Sequence, residues 1–268
     1  MDCREESSVD QQKREEIREH YANTARTSSC CGTTQSNLYD PAQIASLPAN
    51  AIKASRGCAD PHAFAALQQG ERVLDLGSGG GIDSLLAARE VGEEGFVLGI
   101  DMTDDMLELA RRNAAEGGFG NVEFRKGYIE DLAGAGIEDA SFDAVISNCV
   151  INLSTDKPAV LREAYRVLRE GGRFVVADVV GQKRVCNLTA QQLGAFLGCV
   201  SGILHRDDYE ALLREIGFTD VEIVVQNLYC ADSLRMRAEV KGYQDYLATM
   251  DIDEADGASA GCIVIAKK

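Results

Sequence analysis

Residues 73–83 read Val73-Leu74-Asp75-Leu76-Gly77-Ser78-Gly79-Gly80-Gly81-Ile82-Asp83, and the fold is decided by this stretch. An aliphatic, β-branched run enters a turn so rich in glycine that the backbone can bend sharply and approach a ligand with no Cβ in the way. Ile82, Leu85, Leu86, Ala87 and Ala88 then resume an apolar pattern at helical spacing. A strand, a ligand-binding turn and a helix in that order form the first crossover of an open α/β sheet, where a nucleotide-like group sits. The dinucleotide fingerprint G-x-G-x-x-G would place glycine where this chain has Ile82, so the spacing argues against a nicotinamide or flavin binder.

Outward from this turn, strands and helices alternate. Strands are expected over 72–76, 95–101, 121–125, 142–147 and 172–180, with helices over 83–91, 103–115 and 157–169, the pattern of a doubly wound, mostly parallel α/β sheet. Asp104 and Asp105 favour the positive end of one helix, and Gly117-Gly118 close it. Pro158 suits a first helical turn, Leu161, Ala164, Tyr165 and Leu168 make an apolar stripe, and Gly171-Gly172 stop the chain.

Beyond the fifth strand the pattern changes. Thr189 and Gln192 have capping-box spacing, ahead of a helix with Leu193, Phe196, Leu197 and Val200 on its apolar face that ends within 199–202. A helix over 207–216, a strand through Val221, Ile223 and Val225, a helix over 234–247 and a strand over 262–266 follow. The acidic stretch 249–261 lacks the glycine and glutamate positions of a calcium loop and reads as solvated loop. At the other end, residues 10–21 suit a marginal helix with Val9, Ile17 and Tyr21 as its only apolar stripe, and the small polar residues of 27–38 read as loop, together a mobile arm. The expected organisation is therefore an arm with cysteine-bearing loops (residues 1–60), a nucleotide-binding domain (61–182) and a C-terminal α+β region (183–268).

Composition narrows the function. With 268 residues, 45% of them hydrophobic, the chain can bury a full core. It has no long apolar run and no apolar targeting segment behind Met1, so a soluble, cytoplasmic monomer without a membrane partner is expected. A formal net charge of −16 repels a phosphate backbone, which excludes nucleic acid as a partner and accounts for solubility, including in a salty cytoplasm. Nine cysteines are many for such a protein, yet none forms C-x-x-C and the only close pair is Cys30-Cys31, which disfavours structural zinc. His20, His62 and His205 are too scattered to suggest a metal cluster.

Ligands of an open α/β sheet bind beyond the carboxyl ends of its strands. There the sequence puts Gly77 to Gly81, Asp101-Met102, Ser147-Asn148-Cys149 and Asp178. Asp101 is placed to accept from a ribose diol, with Thr103 the better helix cap; Asp75 serves either a ligand amine or the turn itself as a buried carboxylate.

These stretches resemble the class I S-adenosylmethionine-dependent methyltransferases, a Rossmann-like family, through the glycine turn and Gly99-Ile100-Asp101-Met102. Within that class the chain resembles the arsenite methyltransferases from about residue 21 to 218. The specific motifs are Gly99 to Thr103, Ser147-Asn148-Cys149-Val150-Ile151-Asn152-Leu153 with Asp156-Lys157, Gly57-Cys58, and Leu197-Gly198-Cys199-Val200-Ser201-Gly202. It departs in Ala59-Asp60, where the family usually has Gly-Asn, in Ile82 before Asp83, where it often has Arg, and in Ala177 before Asp178, where it more often has Ser. The resemblance implies Gly77, Ser78 and Gly79 against the methionine part of S-adenosylmethionine, Asp101 on the ribose, Met102 beside the adenine, Ile129 and Glu130 at the adenine edge, Asn148 near the amino-acid end, and Tyr21 closing over the site.

It also implies that Cys149 and Cys199 hold trivalent arsenic with Cys58 as the third ligand, and that Cys30, or its neighbour Cys31, is a fourth thiol. In the family Cys30 and Cys58 would form a disulfide as arsenic is returned to the trivalent state, reset by glutathione or thioredoxin. The chemistry is coherent: trivalent arsenic is soft and thiophilic, and three sulfurs leave its lone pair free to attack a sulfonium methyl group without a general base. Arsenite or its thiol conjugates would be the substrate. Cys3, Cys186, Cys230 and Cys262 default to structural roles. Two other readings stay open at this level: a methyltransferase acting on carbon, oxygen or nitrogen with an Asp or His base, and a thiol-based arsenic sensor without turnover.

Overall fold

The structure, a computed structural model, describes residues 8–27, 39–45, 47–54, 57–199 and 202–268. Helix α1 (Ser8–Thr27) and the short α2 (Pro41–Ile44), α3 (Ala49–Ala54) and α4 (His62–Ala65) precede the sheet. The alternating core follows as β1 (Arg72–Leu76), α5 (Ile82–Val91), β2 (Phe96–Asp101), α6 (Asp104–Gly117), β3 (Val122–Lys126), β4 (Phe142–Asn148), α7 (Lys157–Val167) and β5 (Leu168–Gly181). The chain ends with α8 (Asn187–Leu197), α9 (Arg206–Ile216), β6 (Thr219–Leu228), α10 (Ala231–Lys241), α11 (Gln244–Leu247), α12 (Ile252–Ala255) and β7 (Ser259–Lys267).

One seven-stranded sheet runs β3-β2-β1-β4-β5-β7-β6. The first five strands are parallel, as expected of a doubly wound sheet, and β7 lies antiparallel between β5 and β6. The segment after residue 182 therefore completes the sheet begun by residues 72–181. Side chains alternate between two faces along each strand. Leu74, Leu76, Phe174 and Val176 pack with Val160, Leu161 and Val167 of α7 and Tyr209 and Leu213 of α9. Val73, Ile146, Val175 and Ala177 pack on the other face with Ala87 and Val91 of α5, Leu193 and Phe196 of α8, and Leu234 of α10. Both faces of β1 are buried, and each large aliphatic side chain so enclosed stabilises the fold by about 1.5–3 kcal/mol before conformational entropy is counted.

Several expectations are corrected. The arm is helical further than its apolar stripe suggested: α1 docks along α6, with Ile17 and Ala22 buried and Arg26 paired to both oxygens of Asp105 at 2.7 and 2.8 Å. The loop of 28–38 lies outside the described residues. Thr189 does not cap α8. The cap is Cys186, and the Thr189 hydroxyl instead bonds Glu254. That helix ends at Leu197, where Gly198 turns left-handed (φ +88°), and Val200 lies outside the described residues. The helix expected over 234–247 breaks at Gly242 (φ +70°) into α10 and α11. In the stretch 249–261 Asp251, Asp253 and Asp256 are exposed, as expected of solvated acids, but the segment is not simply loop: Asp251 caps α12, Asp256 accepts from the first amide of α10, Glu254 accepts from Cys186 N, and Ser259 onward is buried strand. Its acids serve helix ends, which a charge count cannot distinguish from solvation.

Candidate active site

Register decides where the chemistry lies. Leu76 pairs with Ile100 and with Ser147, and Asn148 with Ala177, so Gly77, Asp101, Asn148 and Ala177 stand in one row at the carboxyl edge of the sheet. The amides of Gly77 and Ser78 both donate to Ile100 O (2.8 and 2.9 Å), folding the turn over β2. Gly77 has φ +72°, and a Cβ there would meet Val150 at 2.5 Å. Gly79, at φ +50°, faces open space in which a Cβ would find no described atom within 4 Å. The amides of Gly77, Ser78, Gly79 and Gly81 are thus taken up inside the protein, and what the turn offers a ligand is close backbone approach without a Cβ.

The cleft over this edge is lined by Gly77, Ser78, Gly79, Asp83, Asp101, Met102, Ile129, Glu130, Asn148, Cys149 and Val150, and is roofed by Arg14, Ile17 and Tyr21 of α1. Asp101 accepts from Thr103 N at 2.8 Å and from Gly79 N at 3.0 Å; burial raises its pKa, against those bonds. Thr103 is the N-cap residue of α6, but its side chain makes no cap bond, and Asp101 accepts only from amides ahead of the helix. Glu130 accepts from the Ser154 hydroxyl at 2.5 Å. Asp75 does not line the cleft: it is buried inside β1 and accepts from Ser84 Oγ of α5 at 2.5 Å. Burial, reinforced by the Asp83 charge, pushes its pKa up to about 7.

Beside the cleft lies a thiol cluster. Cys149 closes β4 in the left-handed region (φ +58°), sparsely used by a residue with a side chain, and its amide is tied to Ala177 O at 2.8 Å. Asn148 brings the distant Cys58 loop to it: Oδ1 accepts from Cys58 N at 3.1 Å, while Nδ2 donates to Ala59 O at 2.9 Å and to Tyr39 Oη at 3.1 Å. Gly57 is needed here, because a Cβ would come within 2.4 Å of Asn148 Nδ2. The neighbouring Cys58 thiol first, then burial, holds the Cys149 thiol well above its ordinary range. Cys199, buried just past α8, feels both Cys58 and Asp178; burial first, then the Asp178 charge, raises its pKa well above the usual value. Among the described residues no three His, Cys, Asp or Glu side chains stand at metal-coordinating geometry, so Cys58, Cys149 and Cys199 are neighbours without forming a closed cage.

A methyltransferase-domain family model matches residues 67–217. The chain is 41% identical over 234 residues to an arsenite methyltransferase of Halobacterium salinarum, covering 80% of this chain and 59% of that protein. It is 37% identical over 241 residues to the arsenite methyltransferase of Aquipseudomonas alcaligenes, covering 88% and 69%. The crystal structure of an arsenic(III) S-adenosylmethionine methyltransferase from Chlamydomonas reinhardtii superposes with a TM-score of 0.66 at 36% identity, over 84% of this chain and 71% of that one. The chain belongs to the arsenite methyltransferase family.

It spans about three fifths to two thirds of the length of these two curated family members. Of the cofactor residues expected from sequence, Tyr21, Gly77, Ser78, Gly79, Asp101, Met102, Ile129, Glu130 and Asn148 line the cleft, and Asp75 stands behind it. Asn148 does more than face the cleft, since it also anchors the Cys58 loop. Of the thiols, Cys149 lines the cleft, Cys58 and Cys199 are buried behind it, and Cys30 and Cys31 lie outside the described residues.

Sequence reasoning missed Asp83 and Asn152. Asp83 joins the cleft to a buried network: it accepts from Tyr39 Oη at 2.9 Å and lies 3.3 Å from His62 Nε2, whose Nδ1 is 3.1 Å from Glu90. Burial opposes a charged imidazole, but the two carboxylates outweigh it and raise the His62 pKa to about 10. The buried Asn152 donates to Asp178 Oδ1 at 2.8 Å and to Val179 O at 2.7 Å. The signals available were the family motif around Asn152 and the position of Asp83 in the first turn after the glycines; neither spells out its partner.

Proposed function

We propose that this protein transfers methyl groups from S-adenosylmethionine to trivalent arsenic held by Cys58, Cys149 and Cys199. The observation that carries the reading is the position of Cys149, which lines the glycine-turn cleft at the end of β4 while Asn148 beside it holds the backbone of the Cys58 loop.

The cleft's donor set suits the cofactor. Gly77 and Gly79 leave a turn with no Cβ on its ligand side, Asp101 offers carboxylate oxygens to a diol, and Met102 and Ile129 offer apolar surface to an adenine. Bound there, the cofactor supplies an electrophilic sulfonium methyl group to the arsenic lone pair. The chain's share is capture and positioning. Each thiol enters as S–H, which the raised pKa values of Cys149 and Cys199 favour, and each gives its proton to an arsenic hydroxyl that leaves as water: As(OH)3 + 3 RSH gives As(SR)3 + 3 H2O. No charge need be buried in the exchange. Methyl transfer takes arsenic formally to the pentavalent state; the Cys30 thiol then attacks the Cys58 sulfur, the As–S bond to Cys58 breaks with its electron pair left on arsenic, a proton is released, and glutathione or thioredoxin reduces the Cys30–Cys58 disulfide so formed.

We place the activity in the cytoplasm, on arsenite or its thiol conjugates, by a monomer, with neither membrane nor nucleic acid as partner. Its net charge of −16 supports the last point, and no helix among the described residues is long and apolar enough to cross a membrane. The test is incubation with arsenite, S-adenosylmethionine and glutathione, with methylated arsenicals read by chromatography and mass spectrometry. Wild type yields them; Cys149→Ser, which keeps the cofactor cleft, yields less than about one hundredth as much. Wild-type protein that binds the cofactor but makes no methylated arsenic would overturn the reading.

A further inference from the structure

We propose that Asn152 is a positioning residue for arsenic capture: clamped by Asp178 and Val179, its side-chain amide hydrogen-bonds Cys199 Sγ and sets that thiol beside Cys58 and Cys149. The inference rests on the arsenic-binding reading above, and extends it to a residue outside the thiol set.

Asn152 sits in the short helical turn Ile151–Leu153 that follows Cys149, and is 1% exposed. Its backbone N–H donates to Asp178 Oδ2 at 3.2 Å and its Nδ2 to Asp178 Oδ1 at 2.8 Å and to Val179 O at 2.7 Å. These bonds leave the carboxamide no freedom to rotate. The same Nδ2 lies 3.7 Å from Cys199 Sγ, within reach for a sulfur acceptor, so its two N–H groups are shared among three acceptors. Asn152 Oδ1 is buried with no hydrogen-bond partner. An unpaired buried carbonyl is costly, and an apolar residue of this size would avoid the cost. The arrangement makes sense if the amide is kept for the thiol beside it.

The turn also explains how the thiols keep station. Cys149 and Asn152 are three residues apart on one rigid segment, and both are tied to the end of β5, through Ala177 O and Asp178. Cys199 comes from the distant end of α8, and its Sγ touches this segment through Asn152. The charged and titratable groups facing Cys199 are Asp178 of β5, Lys157 of α7 and Cys58 of its loop, with Tyr229 and Cys149 also near it.

The test compares wild type with Asn152→Ala and with Asn152→Leu, which keeps the branching and heavy-atom count of the side chain without its polar atoms, by three titrations. Arsenite, which needs all three thiols, is followed by arsenic–sulfur absorption in the near ultraviolet. Phenylarsine oxide takes only two thiols (PhAsO + 2 RSH gives PhAs(SR)2 + H2O) and, with Cys199→Ser introduced into each protein compared, reads the Cys58–Cys149 pair. S-adenosylmethionine binding reads the fold of the cleft. The expected result is an arsenite affinity lower by about 10-fold or more, with the other two affinities within about 2-fold of wild type, the size of effect seen when a group orienting a metal ligand is removed. Unchanged arsenite affinity, or an equal loss in all three titrations, would overturn the proposal. Should wild type bind no arsenite, the functional reading fails by itself. What remains of the proposal, the hold of Asn152 on the Cys199 thiol, is then decided by mass-spectrometric alkylation with iodoacetamide: a Cys199-to-Cys149 labelling ratio changed about 5-fold or more in the variants sustains it, and an unchanged ratio overturns it.

Discussion

At the scale of single residues, the carboxylates enclosed by the fold give the sharpest expectations. Asp75 has its pKa raised to about 7 by burial and by Asp83, from an ordinary value of 3.8. A carboxyl group whose folded pKa is raised favours the folded state when protonated, so its contribution is complete below the unfolded pKa and is lost as pH rises through about 7. Asp75→Asn, which imitates the protonated acid, should therefore lose less stability than wild type between pH 4 and 8, in urea melts at a series of pH values; parallel curves would refute this. His62 poses the opposite problem. Its imidazole is fully enclosed between Asp83 and Glu90, and His62→Ala leaves two partly buried carboxylates without their cation. A loss of about 3–5 kcal/mol is expected in urea unfolding, as for other broken buried ion pairs. Of these roles the sequence shows only residue types. His62's two carboxylate partners, 21 and 28 residues downstream by number, come to it only because α4 packs on α5.

At the scale of elements, α1 is the segment whose contribution is largest relative to its sequence signal. Its apolar stripe is thin, yet Ile17 and Tyr21 roof the cofactor cleft and Arg26 reaches Asp105 of α6. The ion pair is exposed on the arginine side, with Arg26 62% accessible, and should matter little: Arg26→Ala is expected to change stability by less than about 1 kcal/mol. Ile17→Asp puts a charge into the docked face and should release the helix. The expected outcome is a several-fold weaker binding of S-adenosylmethionine, by isothermal titration, with the thermal unfolding of the sheet core little changed, since α1 contributes no strand. Elements were readable wherever propensity and punctuation agreed, as in α6 between its two aspartates and Gly118 or α5 after the glycine turn. They were misread where a partner distant in sequence took over, as when Glu254 engaged Thr189 and left the cap of α8 to Cys186.

At the scale of the whole molecule, a net charge of −16 opposes compaction through self-repulsion, which salt screens. The melting temperature should rise steadily when KCl is raised from about 0.1 to 1 M, where the screening length falls from about 10 to 3 Å; a falling or flat curve would contradict a repulsive surface. The sequence by itself determined the class of sheet, because strand-turn-helix alternation with glycine at the first crossover admits few architectures. It also determined which residues stand at the strand ends, since Gly77, Asp101 and Asn148 end apolar runs whose lengths are locally legible. Only the tertiary structure decided that β7 inserts between β5 and β6, setting Gly261 against the Cys58 backbone, where a Cβ would stand 3.0 Å from Cys58 O. It alone brought Cys58 to Cys149 across some ninety residues of chain through Asn148, and Cys199 to Asn152. Periodicity encodes which face of an element is buried, but not which element comes to bury it; the thiol site is built from such long-range choices.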